Sequence, residues 1–135
     1  MSGGVQEQFD LRKIDLNNNK DKINRKQKEI IWNILMQARR KKSVICCNIE
    51  PNESLAQQEL ANGLVAGHAY IVSALTLVSI DTHVVRLLKC INPWGTETEY
   101  KGNWSWNSKY WKLLKRSDRK TLLTEVQING HFWFA

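Results

Sequence analysis

Three cysteines are too few and too irregularly placed for a disulfide framework: Cys46 and Cys47 are adjacent, Cys90 stands alone, and no C-x-x-C knuckle occurs. The expectation is reduced, mostly buried thiols, which excludes a disulfide-stapled secreted scaffold. Long apolar runs are also missing. The two longest, around residues 69–80 and 84–91, are broken by Ser73, Thr76, Ser79, Arg86 and Lys89, too soon for a membrane span. No basic-then-apolar leader with a small-residue cleavage site opens the sequence, so a cytoplasmic location is expected. Nor is there an internal repeat or a low-complexity tract beyond one short Asn run, which excludes solenoids and propellers.

What is present is a chain of 135 residues, 42% apolar, enough for one modest core and one domain. Its charge of +7 is unevenly distributed: residues 1–48 carry 11 Lys/Arg against 5 Asp/Glu, residues 49–108 carry 3 against 6, and residues 109–120 carry 6 against 1. Basic clusters can bind nucleic acid or acidic membranes. The run Arg39-Arg40-Lys41-Lys42, however, falls where a helix should end and complements its dipole. Solvated helix ends are the better reading, and no nucleic-acid partner is expected.

Ile23, Ile30, Ile31, Ile34, Leu35 and Ala38 recur at spacings of three and four, predicting an amphipathic helix from about Lys22 to Lys41, capped by Asn17, Asn18, Asn19 or Asp21. Residues 43–49 (SVICCNI) read as a short strand and the PNES that follows as a turn. Residues 67–80 and 82–91 are rich in Val, Ile and Leu, with Ser79-Ile80-Asp81 the break between them, so an antiparallel hairpin is expected. A turn centred on residue 80 sets His68 opposite Asn92, and a bulge would shift that register by one. Lys109–Lys120 reads as a basic surface loop or short helix, and HFWFA (131–135) as the start of another buried element.

A histidine held by an asparagine side chain at strand ends is an arrangement that cysteine proteases require: the imidazole takes the thiol proton and the amide fixes the ring. His68 and Asn92 fit those roles, although a histidine that begins a strand is more often structural. Zinc binding by His68, His83, Cys90 and Cys46 is a rival use, with no pair at the usual short ligand spacing. Stacking of nucleic-acid bases on Trp104, Trp106 and Trp111 is another. For Trp104 and Trp111 a place in the core is simpler.

The residue strings carry the reading further. GHAYIV (67–72), NPWG (92–95), EYKGNW (99–104) and GHFWFA (130–135), with SGGVQEQFDLRK (2–13) and KKSVICCNI (41–49), occur in an order and at spacings that resemble the second half of the calpain protease core. The family reads GHAYSV, NPWG, E-W-x-G-x-W and G-E-F-W at these places. The resemblance covers residues 2–135. It implies an α+β fold, the β-rich half of a papain-like cysteine protease core, with an antiparallel sheet and an amphipathic helix towards its N-terminal side. Residues 1–135 are then a single, incomplete catalytic half-domain, whose partner is the half bearing the nucleophilic cysteine and whose substrates are proteins.

By the same resemblance His68 is the general base, Asn92 its orienting partner, and Gly67 and Trp94 residues of the substrate cleft and its closure. None of the three cysteines matches the nucleophile, so this chain alone is expected to be inactive. The alternative is a non-catalytic calpain-like module that binds proteins without cutting them. Calpains bind calcium in this half through carboxylates. Here Glu99 keeps one of four positions, while Trp106, Asn129 and His131 stand at the others, so the ligand set is largely lost and Glu99 is the residual candidate. Apolar surface left by a missing half is expected around Trp94, Trp133 and Phe134.

Overall fold

The computed structural model describes residues 5–13, 22–51, 59–93, 100–126 and 130–135. The chain forms two compact units, Met1–Lys42 and Ser43–Ala135.

The first unit contains a 3-10 turn, Leu11–Lys13, and helix α1, Lys22–Arg40. Arg39 and Arg40 occupy the last turn, where their charge complements the carbonyl end of the helix. Lys42 then turns into the left-handed region at φ 56° and ends it. The less exposed residues of α1 agree in part with the expected face: Ile31, Ile34, Leu35 and Ala38 are partly buried, together with Asn24, Lys28 and Trp32, whereas Ile23 and Ile30 are exposed. The large Trp32 centres the stripe, and the two isoleucines lie beyond its edge.

The second unit is an antiparallel sheet of four strands in chain order, β1 Cys46–Asn48, β2 Ala69–Ile80, β3 His83–Ile91 and β4 His131–Phe134. Between β3 and β4 lie a 3-10 turn, Lys109–Leu113, and helix α2, Arg116–Val126, in the stretch read as a loop or short helix. The architecture is therefore α+β, as expected. No helix among the described residues is long and apolar enough to cross a membrane.

The sheet carries apolar clusters on both faces. Val78, Leu87 and Trp133 meet Trp104, Trp111, Leu114, Leu122 and Val126 on one face. Tyr70, Val72, Cys90 and Phe132 meet Leu64 and Tyr100 on the other. Two indole N–H groups are satisfied within the first cluster: Trp111 Nε1 donates to the Ser105 carbonyl at 2.6 Å and Trp133 Nε1 to the Leu122 carbonyl at 3.1 Å. Trp104 and Trp111 are thus core anchors, and Trp106 is exposed. The expectation of an exposed Trp133 was wrong: it is 1% exposed, because α2 folds back over the sheet and covers it, while Phe134 remains partly exposed. Trp94 lies outside the described residues.

Candidate active site

The hairpin register decides which side chains meet at the open end of β2 and β3. Its turn is Asp81-Thr82, one and a half residues beyond the expected centre, with Ile80 paired to His83 and Asp81 at φ 51°. That register holds to Ala74↔Lys89 and then changes, since the next pairs are Val72↔Cys90 and Ile71↔Ile91. Ser73 is the extra residue of a β-bulge, and its hydroxyl donates to the Lys89 carbonyl at 3.3 Å.

The bulge has a consequence at the strand ends. Continued without it, the register would bring Asn92 level with Ile71, whose side chain lies on the opposite face from Tyr70 and His68. With it, Asn92 is level with Tyr70, and His68 is a diagonal neighbour two residues away on the same face. The direct opposition of His68 and Asn92 expected from a plain hairpin is therefore replaced by a diagonal contact, still within reach of two polar side chains. His68 Nε2 and Asn92 Oδ1 are 2.8 Å apart.

Neighbouring residues hold each partner in place. Gly67 adopts φ 75°, a conformation that favours glycine, and its N–H donates to the Ile49 carbonyl at 2.8 Å, fixing the entry into β2 just before His68. The Asn92 N–H donates to the Gly130 carbonyl at 2.8 Å. The Tyr70 ring packs edge-on against the His68 imidazole at 4.9 Å between centroids and against Phe132 at 5.7 Å. Its hydroxyl accepts the Val65 N–H at 2.9 Å, which ties down the loop before Gly67. Burial, partly offset by that hydrogen bond, raises the Tyr70 pKa. Tyr70 and Ser73 were not singled out in the sequence. Tyr70 belongs to GHAYIV and was legible there, but nothing in the local string marks Ser73 as a bulge.

Both site side chains are buried, His68 6% exposed and Asn92 7%, rather than standing at the edge of an open surface. In these surroundings an unmade hydrogen bond is costly, so the contact constrains the ring. If the amide oxygen accepts from Nε2–H, the neutral imidazole carries its lone pair on Nδ1, and the ring can serve as a base through that atom.

The cysteines differ from expectation. Cys46 and Cys47 are exposed and only Cys90 is buried. Cys46 pairs with Ile71 and Cys47 with Tyr70, so the adjacent thiols lie on opposite faces of the sheet. Cys47 Sγ lies 4.0 Å from Cys90 Sγ. Their hydrogen bond pushes the Cys90 thiol up, aided by burial, and pulls Cys47 down.

Of the four positions that the resemblance assigned to calcium, Glu99 and Asn129 lie outside the described residues. At the other two, Trp106 presents an exposed indole and His131 an imidazole at the start of β4. Neither is an oxygen donor for a hard cation, so the described donors do not fit calcium. Among the described residues no group of three His, Cys, Asp or Glu side chains could hold a metal ion, which also leaves the zinc reading without a site.

Comparison with known proteins bears on the family of the chain. The profile of the calpain family cysteine proteases matches residues 1–135. Calpain clp-4 of Caenorhabditis elegans is 30% identical over 99% of this chain, Calpain-14 of Homo sapiens 37% over 78%, and Calpain-A of Drosophila melanogaster 28% over 99%. The chain spans only 17%, 14% and 15% of those relatives, respectively. With the whole of its length matched by the family profile and a histidine–asparagine pair formed across the hairpin that carries GHAYIV and NPWG, the chain belongs to the calpain family of cysteine proteases.

Proposed function

We propose that this chain supplies the general-base half of a calpain-type cysteine endopeptidase, with His68 as the base and Asn92 as the residue that positions it. The nucleophilic cysteine comes from the other half of the core. The observation that carries the reading is the 2.8 Å contact between His68 Nε2 and Asn92 Oδ1, formed at the ends of two strands and favoured by the Ser73 bulge.

The chemistry follows from that geometry. Nδ1 of His68 takes the proton of the incoming thiol, and the thiolate attacks the scissile carbonyl. The imidazolium, held in orientation by Asn92, returns the proton to the leaving amine. In the second half-reaction Nδ1 deprotonates the water that hydrolyses the thioester. Gly67 sets the backbone that presents His68, and Trp94, adjacent in sequence to this hairpin, is assigned to the cleft. Without the thiol there is no covalent intermediate, so the chain alone does not hydrolyse peptides.

Burial of both side chains is also what a purely structural pair would display, and that favours the second reading, a non-catalytic module that binds proteins without cutting them. A fluorogenic peptide assay on the chain joined to a cysteine-bearing half of the core separates the two. Catalysis predicts turnover that falls by about 10²–10⁴ in His68→Ala. Turnover unchanged in that variant, or hydrolysis by the chain alone with all three cysteines replaced, would overturn the proposal.

A further inference from the structure

From the placement of Cys47 and Cys90 we infer a two-thiolate site for a soft monovalent d10 cation such as Cu(I), lying over β2 between the side chains of Tyr70 and Val72. The two residues are on different strands, β1 and β3, that flank β2 on either side. Cys47 is level with Tyr70 and Cys90 with Val72, so both thiols rise from the same face of the sheet and lean towards each other across the central strand. They stop at 4.0 Å between sulfurs.

That separation distinguishes the things a pair of thiols can do. A disulfide needs sulfurs about 2.05 Å apart and Cα atoms closer than about 7 Å. Two strand spacings separate backbones by about 9–10 Å, and β2 occupies the space between. Oxidation to a disulfide would therefore require β1 to leave its ladder. A cation bridging two thiolates makes the opposite demand. With metal–sulfur bonds of about 2.3 Å, a linear arrangement spans about 4.6 Å, and a bent one less. The observed 4.0 Å falls within what rotation of the two side chains accommodates, with the backbone undisturbed.

The donor chemistry points the same way. Two sulfurs suit a soft, low-coordinate cation, whereas zinc and calcium ask for four or more ligands. Access is through Cys47, exposed on the three-residue edge strand β1, while Cys90 is 2% exposed and holds the inner position. Binding breaks two S–H bonds, forms two metal–sulfur bonds and releases two protons to solvent, with no change of oxidation state. Cys46 takes no part, since it lies on the other face of β1.

The test is a titration of the reduced chain with Cu(I) under anaerobic conditions, buffered by a chromophoric competing chelator. The expected result is one equivalent withdrawn from the chelator, with a sulfur-to-copper charge-transfer absorption in the ultraviolet. Cys47→Ser, at an exposed position, should abolish that equivalent while circular dichroism shows the fold intact, and Cys90→Ala should do the same. Cys46→Ser should leave it unchanged. Binding that survives in Cys47→Ser, binding that depends on Cys46, or no withdrawal from the chelator would each overturn the assignment. So would complete formation of a Cys47–Cys90 disulfide by dilute peroxide, detected by mass spectrometry as the loss of two hydrogens, because the strand-spacing argument would then be wrong.

Discussion

Replacing Gly102 by alanine tests whether the face of the sheet that carries the site is as tightly packed as the structure implies. A Cβ at this position would lie 2.2 Å from Tyr100 Oη, 2.4 Å from Cζ and 2.6 Å from Cε2. Ordinary contact requires more than an ångström of additional room, and the Tyr100 ring has little to give. It is 8% exposed, packs at 4.9 Å against Phe132, and donates its hydroxyl to the Asn103 carbonyl at 3.0 Å. Forcing the ring aside should cost about 1–3 kcal/mol as overpacking. Loss of the hydroxyl's partner adds about 1 kcal/mol. The lower unfolded-state entropy of alanine offsets about 0.4–1 kcal/mol. The net is a destabilisation of about 2 kcal/mol, or roughly 8 °C in Tm for a domain of this size. Thermal melts followed by circular dichroism measure it. A double-mutant cycle with Tyr100→Ala should show strong coupling, since the clash disappears with the ring. A Tm that is unchanged or raised in Gly102→Ala, or strictly additive effects in the cycle, would show that Tyr100 does not sit over Gly102.

Calorimetric titration should find no calcium binding tighter than about millimolar, the weak end of protein calcium sites, because indole and imidazole stand where carboxylates are needed; a micromolar site lost in Glu99→Gln would refute this. Burial raises the pKa of both Tyr70 and Tyr100 above the usual value of 10.0, so each folded-state phenol holds its proton more tightly than in the unfolded chain. Their contribution is fully present below about pH 10 and is lost as the pH rises through the folded values, so alkaline unfolding should shift to higher pH in urea-free buffer for Tyr70→Phe, measured at constant temperature.

The sequence made the site's membership legible but not its register. His68 and Asn92 stand in strings whose order and spacing carry the resemblance, and two runs rich in Val, Ile and Leu on either side of the Ser79-Ile80-Asp81 break were enough to predict a hairpin. The turn centre was misjudged by one and a half residues, because Ser79, Ile80 and Asp81 offer no Asn-Gly or Gly-rich pair to fix it. The bulge was not locatable at all: a serine in a strand looks the same whether it sits in the ladder or outside it, and only the later pairing reveals the change of face. The two errors acted together, so that direct opposition became a diagonal contact while adjacency survived. Trp133 was misjudged for a different reason. Its exposure was expected from the missing half of the core, whereas its cover comes from within the chain, where Leu122 and Val126 of α2 pack in one cluster with it. Cys47 was expected among the mostly buried thiols, and its position on the three-residue edge strand β1 leaves it exposed.

The orientation of the His68 imidazole is the claim on which the proposed chemistry depends, and nitrogen NMR of the chain measures it directly. Long-range proton–nitrogen correlations of labelled histidine distinguish a ring protonated on Nε2 from one protonated on Nδ1. Neutral His68 is expected as the Nε2–H tautomer, with Asn92 Oδ1 as its acceptor at 2.8 Å, and Asn92→Ala should convert it to a mixture of tautomers. A wild-type His68 protonated on Nδ1, or a tautomer indifferent to the loss of Asn92, would contradict it, since Nδ1 would then have no lone pair with which to take a proton, or Asn92 no part in holding it ready.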